Sequence, residues 1–176
     1  MEHLKVFNKL GIQAKEVRLP IDLDHIDGII LPGGESTTMM NLLEVFQLKE
    51  PLIKKITDGM PVWGTCAGMI LLAKKLVQDK PISLGLMDII VDRNAFGRQI
   101  DSFTTSLTIL PLGEKKLSAT FIRAPLIEKV GASVEILSKL DDGTIVAAKE
   151  KNMLVTSFHP ELTSDTRMHE YFVSMI

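Results

Sequence analysis

The chain opens with apolar residues at helical spacing. In EHLKVFNKLG, Leu4, Phe7 and Leu10 share one face, and Gly11 follows as a residue suited to end the helix. AKEVRLP and IDGIILPGG read as strands, the second so apolar that both its faces should be covered. STTMMNLLEVFQLKEPLIKKITDG returns to a helical pattern, with a break expected before Pro51 and a stop at Gly59. MPVWGTC reads as a short buried strand and AGMILLAKKL as the helix after it. Strands alternating with helices predict a parallel, doubly wound sheet.

The second half changes rhythm. MDIIVD, DSFTTSLTIL, LSATFIRA, VEILSKL, TIVAAKE and NMLVTSF are strand candidates joined by short turns such as Asp142-Gly143. They predict an antiparallel or mixed extension beside the parallel part. SDTRMHEYFVSMI closes the chain as a helix, with Ser164 as its expected cap and Met168, Tyr171, Phe172 and Met175 as its buried stripe. The fold class predicted is therefore α/β: three layers, a mostly parallel doubly wound sheet, and a mixed extension.

Composition narrows this only a little. At 176 residues the length suits one domain spanning 1–176, large enough to bury a core. Hydrophobic residues make up 45% of the chain, which argues against disorder. Twenty basic against 22 acidic residues leave a net charge of −2, with no electrostatic footprint for nucleic acid. No apolar run approaches the roughly 20 residues of a membrane span. One cysteine cannot form an internal disulfide, so a reducing, cytoplasmic compartment is expected.

That cysteine carries the chemistry. A lone thiol is ordinarily a small buried hydrophobe. Cys66, however, stands in Gly-Thr-Cys-Ala-Gly where a strand turns into a helix. This is the nucleophile-elbow pattern G-x-S-x-G with Cys for Ser. Gly64 and Gly68 clear side chains from around the thiol, and the helix start favours a thiolate and offers N–H groups to an oxyanion.

Among four histidines, His3, His25 and His169 read as solvated or structural. His159 ends a strand in TSFHPEL, and Pro160 holds it extended. Glu161, two residues on, then lies on the same face and can orient the imidazole towards Cys66, the logic of a catalytic triad. LPGGEST, residues 31–37, ends another parallel strand, where Gly33 and Gly34 allow close backbone approach to a substrate oxygen.

GTCAG, FHPE and LPGGES together resemble the class I (triad) glutamine amidotransferases. The strings ILPGGESTTM, GTCAGMILLAKK, RNAFGRQIDSF, FIRAP and SFHPELTSD are similar to the glutaminase subunits of pyridoxal 5′-phosphate synthases within that class. Ala95 stands where that family usually has Ser. The resemblance implies hydrolysis of L-glutamine to glutamate and ammonia, with Cys66, His159 and Glu161 catalytic. Gly34, Glu35, Ser36, Arg93, Ile122 and Arg123 would bind glutamine, and backbone N–H groups of Gly34 and Ala67 would face the oxyanion. Arg98 is as readily a solvated or interface charge as a substrate contact. No metal or organic cofactor is implied. The implied partner is a (β/α)8-barrel synthase subunit that receives the ammonia and builds pyridoxal phosphate from a pentose phosphate and a triose phosphate; neither nucleic acid nor membrane is expected as a partner.

Family members open with a strand and a turn reading roughly LQG before the helix containing EH. This chain begins at Met1-Glu2-His3, so that first strand is expected to be missing from the sheet. Two other functions compete: the glutaminase of a different synthase, and a subunit that regulates the synthase without turning over glutamine. RNAFGRQ and FIRAP argue against the first, and the presence of Cys66, His159 and Glu161 against the second.

Overall fold

A computed structural model of the chain describes residues 2–78, 83–93 and 102–176. Most of RNAFGRQ, with Ala95 and Arg98, lies outside the described residues. One mixed sheet carries the structure, in the order β1 (Ile29–Leu31), β2 (Val62–Thr65), β10 (Met153–Thr156), β9 (Ile145–Glu150), β7 (Leu126–Val130), β4 (Met87–Asp92) and β3 (Ala73–Leu76), with β8 (Glu135–Lys139) also paired to β9. Pairing is parallel across β1, β2 and β10 and again between β3 and β4. From β10 through β9 and β7 to β4 it is antiparallel. The predicted mixed extension therefore continues the parallel part edge to edge. A separate hairpin joins β5 (Ser102–Leu107) to β6 (Leu117–Ile122).

Alternation along the central strands builds a core on each face. Val62, Met153 and Val155 point to one side with Leu52 and Ile56 of α3 (Lys49–Thr57), Met40 of α2 (Ser36–Val45) and the residues of α4 (Ala67–Leu72). Trp63 and Leu154 point to the other, with Phe7 of α1 (Glu2–Lys9), Met168 and Phe172 of α5 (Arg167–Val173), and Phe121 of β6. This is the three-layer α/β arrangement the sequence predicted.

Several local expectations need correction. AKEVRLP forms no strand: residues 12–18 have no regular structure, and among the described residues β1 pairs with β2 alone, with no ladder partner for that segment. The break expected before Pro51 is present, at Gln47 between α2 and α3, where φ is +55°. Pro51 sits in the first turn of α3, where a missing N–H costs nothing. AGMILLAKKL is helical only to Leu72. The chain then straightens into β3, because Ala73 and Leu76 are buried in a parallel ladder with β4 while Lys74 and Lys75 face solvent. Ser164 is not the cap of α5; Thr166 is, and the Asp165 carboxylate accepts from the Arg167 N–H. Strand β7 was not foreseen from the sequence.

Gly68 has a different purpose from the one first assigned. A Cβ there would lie 1.9 Å from the Leu31 carbonyl oxygen, so its bare backbone lets α4 lie directly against β1. A strand carbonyl cannot yield as a flexible side chain can. Gly68→Ala should therefore lose at least about 2–3 kcal/mol of stability, at the upper end of overpacking costs. Urea unfolding measures this, and a variant as stable as the parent would contradict the packing described.

Candidate functional site

Parallel pairing of β2 with β10, with Thr65 opposite Thr156, brings the ends of these two strands together. Cys66 follows β2 immediately, and its N–H donates to the Thr156 carbonyl at 2.8 Å. Its backbone is strained, with φ +49° and ψ −105°, a conformation that side-chain-bearing residues rarely adopt. The thiol is nearly buried, and its Sγ lies 3.9 Å from the Ile122 carbonyl oxygen. The predicted elbow is present.

His159 lies three residues beyond β10. Its N–H donates to the Thr120 carbonyl of β6 at 2.8 Å, so the hairpin anchors the backbone behind the imidazole. Nδ1 lies 2.7 Å from Glu161 Oε1, and the Cys66 side chain is close enough to act on the charge of the ring. The imidazole and carboxylate are only 11% and 8% exposed, which shields their interaction from water. Burial alone would lower the His159 pKa, but the neighbouring Cys66 side chain and the hydrogen-bonded Glu161 carboxylate hold it well above its ordinary value, at about 10. For Glu161 burial acts upward and is outweighed by the His159 hydrogen bond and by the nearby His3 and His159, so its pKa is lowered. The arrangement can hold an imidazolium against a carboxylate beside the cysteine.

Gly33 makes room for the imidazole. A Cβ on Gly33 would stand 2.3 Å from His159 Cε1, so only glycine leaves room for the ring. Glu35 caps α2, accepting from the Thr37 and Thr38 N–H groups at 3.0 and 2.7 Å and from the Thr38 hydroxyl at 2.8 Å. These bonds lower its pKa to about 2. Arg93, just past β4, reaches across to the same carboxylate with Nη2 3.7 Å from Oε1. Ser36 is buried, and its hydroxyl has no hydrogen-bond partner among the described residues. Ile122 ends β6, and Arg123 follows in a left-handed conformation, φ +44°. Gly34 and Ala67 sit beside the Glu35 cap and at the start of α4 respectively.

Two histidines set aside at first belong to these surroundings. His25 is exposed, but His3 and His169 are buried beneath the site, 2.9 Å apart between Nδ1 and Nε2. His3 Nε2 lies 3.5 Å from Glu161 Oε2. A signal existed in the sequence: His3 shares a helical face with Phe7 at i, i+4, and His169 neighbours Met168 within the buried stripe of α5.

A thiol on a strained strand-to-helix turn, backed by a histidine–carboxylate pair from the adjoining parallel strand, on this three-layer sheet, defines the architecture of a glutamine amidotransferase. A crystal structure described as a glutamine amidotransferase superposes with a TM-score of 0.92 at 40% identity, over 99% of this chain and 92% of that one. PurLQS from Thermotoga maritima shares the fold, with a TM-score of 0.75 at 15% identity over 98% and 91% of the two chains. The chain belongs to the SNO glutamine amidotransferase family, whose model matches residues 1–176. It is 56% identical to the pyridoxal 5′-phosphate synthase subunit PdxT of Dehalococcoides mccartyi strain CBDB1, over 99% of this chain and 90% of that protein. To the protein of the same name from Thermotoga neapolitana it is 49% identical, over 99% and 93%. Among the described residues no helix is long and apolar enough to cross a membrane.

Gly33→Ala is expected to push the imidazole out of line. A displacement of about 1 Å at a catalytic group costs on the order of 10² in rate, so glutamine turnover should fall by that factor while the circular dichroism spectrum is kept. Wild-type turnover would mean that the ring tolerates the methyl group.

A second expectation concerns acid. Burial lowers the His169 pKa to about 4, with His3 adding to the effect and Glu161 opposing it, from 6.5 when unperturbed. Between those values the unfolded chain binds the proton and the folded chain does not. The contribution is thus complete above 6.5 and is lost as pH falls towards 4, at no more than about 1.4 kcal/mol per pH unit. Chemical denaturation between about pH 7 and pH 5 should show a shallower loss for His169→Gln than for the parent; equal slopes would contradict a neutral buried His169.

Proposed function

We propose that this chain is the glutaminase subunit of a pyridoxal 5′-phosphate synthase, hydrolysing L-glutamine to L-glutamate and ammonia. The observation that carries this reading is His159 bonded to Glu161 at the end of the strand that pairs in parallel with the one leading into Cys66. Membership of a glutamine amidotransferase family and the names of the similar curated proteins support it.

In this reading the Cys66 thiolate attacks the side-chain amide carbon of glutamine. The developing oxyanion takes hydrogen bonds from the N–H groups of Gly34 and Ala67. The His159 imidazolium gives its proton to the departing nitrogen, so ammonia leaves and a thioester remains on Cys66. Water then attacks the thioester as His159 accepts its proton. Glutamate departs, and the thiolate–imidazolium pair is restored. Glu161 stabilises the imidazolium at each turn.

Arg93 is suited to the α-carboxylate of glutamine, since a guanidinium fork matches a carboxylate, and Glu35 holds that arginine at the rim. Gly34, Ser36, Ile122 and Arg123 complete the proposed binding surface, with the Ile122 carbonyl already beside Sγ. Ammonia passes to the synthase partner, proposed as a (β/α)8 barrel on the sequence resemblance. We place the complex in the cytoplasm, with neither nucleic acid nor membrane as a partner, in keeping with the near-neutral charge and single cysteine.

Cys66→Ala should abolish ammonia release in the presence of the synthase subunit while leaving the fold intact, and a glutamine-analogue electrophile should label Cys66 alone. His159→Ala should cost roughly 10²–10⁴-fold in kcat, and Glu161→Gln less, because it keeps a hydrogen-bonding group but loses the charge. Substantial turnover by Cys66→Ala would sink the thiol mechanism. Full activity of Glu161→Gln would remove Glu161 from the site.

A further inference from the structure

Behind Glu161 lies a group of polar side chains that the mechanism above does not use. Oε1 of Glu161 is taken by His159 Nδ1 at 2.7 Å. Oε2 is buried with no hydrogen-bond partner of ordinary length among the described residues; its contact is His3 Nε2 at 3.5 Å. His3 Nε2 also lies 3.4 Å from the Thr65 hydroxyl, one residue before the elbow. His3 Nδ1 meets His169 Nε2 at 2.9 Å. His169 is wholly buried against Phe7 and Trp63, with ring centroids 5.5 and 5.1 Å away, and its own Nδ1 has no partner among the described residues.

These contacts fix which nitrogen holds each proton. Two neutral histidines 2.9 Å apart share one N–H. If His3 held its proton on Nδ1, the Nε2 lone pair would face the Glu161 carboxylate, anion against lone pair. His169 would then carry its own proton on Nδ1, leaving an N–H buried without an acceptor, which folded proteins rarely tolerate. The opposite assignment removes both conflicts: His169 Nε2–H donates to His3 Nδ1, and His3 Nε2–H points at Glu161 Oε2. Burial, the largest influence on both rings, favours their neutral forms.

We infer that His3 and His169 are positioning residues: a one-directional chain of imidazole N–H groups, from His169 through His3, holds the second oxygen of Glu161 and so fixes the carboxylate that orients His159. This rests on the triad reading of Cys66, His159 and Glu161. In solution the 3.5 Å contact is expected to close as substrate charge develops, since hydrogen bonds at such sites are often long before substrate binds. His3 belongs to α1 and His169 to α5, so two helices far apart in the chain act on one carboxylate oxygen.

The test has two parts, both on the full chain assembled with its synthase subunit. His3→Leu removes the donor, while His3→Gln keeps an N–H near the position of Nε2. Loss of one hydrogen bond to a charged group corresponds to roughly 10–100-fold in rate. His3→Leu should therefore lower kcat by about that factor with KM within about twofold, and His3→Gln should recover most of it. A His3→Leu enzyme within about twofold of the parent, a loss carried by KM, or equal losses in the two variants would overturn the inference. The second part needs neither turnover nor a variant that folds. Nitrogen-15 correlation spectra of the histidine-labelled parent should show both His3 and His169 as Nε2–H tautomers. An Nδ1–H tautomer at His3 would overturn the chain even with glutaminase activity intact. If the tautomers are as stated but Cys66→Ala stays active, the triad reading has failed and the hydrogen-bond chain has not.

Discussion

The parallel register between β2 and β10 is the constraint on which the site depends. Thr65 opposite Thr156, extended by the Cys66 N–H to the Thr156 carbonyl at 2.8 Å, fixes how far each chain runs past the sheet edge. A one-residue slip would turn Cys66 and Trp63 to the wrong faces, since strand side chains alternate with period two. Trp63 resists such a slip. It is fully buried, donates from Nε1 to the Thr156 hydroxyl at 3.2 Å, and packs on His169 and Phe172. The same pairing that builds the core thus sets the spacing of the thiol and the imidazole.

Strain and packing meet at the elbow. Cys66 is held at positive φ, which isolated chains avoid by of order 1–3 kcal/mol. The surroundings that hold it there are dense: α4 is buried on every side, and its Gly68 backbone touches the Leu31 carbonyl. A helix of six residues has little stability of its own. It persists because it is wedged between β1, β2 and α2, so the turn before it cannot relax.

The carboxylate end of the site is organised from further away. Glu161 lies in a short turn after Pro160, but its two oxygens face groups from two separate regions: His159 near β10 and His3 on α1. On the opposite rim Glu35 is fixed by α2 backbone N–H groups, and Arg93 from the β4 end is drawn to it. Charges in the described site are therefore held by other parts of the fold. Such preorganisation strengthens hydrogen bonds and charge interactions in a nearly dry environment.

Much of this was legible in the residues alone. The elbow at Cys66, the approach of Glu161 to His159, and the glycines after β1 are short-range patterns that reflect local backbone geometry. So is the alternation that identified most strands. Pro160–Leu162, however, form a 3-10 turn and not the extended run expected. What the sequence could not supply were facts about distant neighbours. AKEVRLP has strand-like residues but no ladder partner, and AKKL has helix formers but a β4 ladder beside it, so tertiary pairing decided both against local preference. Gly33 reads as a glycine that admits a substrate oxygen, and nothing local reveals that an imidazole from 126 positions away is placed against it. His3 and His169 read as ordinary polar residues of two helices until the sheet brings those helices to one carboxylate. The sequence by itself determined which groups can react and the local turns that present them. Only the tertiary structure decided which groups meet, because contacts between residues far apart in sequence depend on how the sheet orders its strands, and no local periodicity encodes that order.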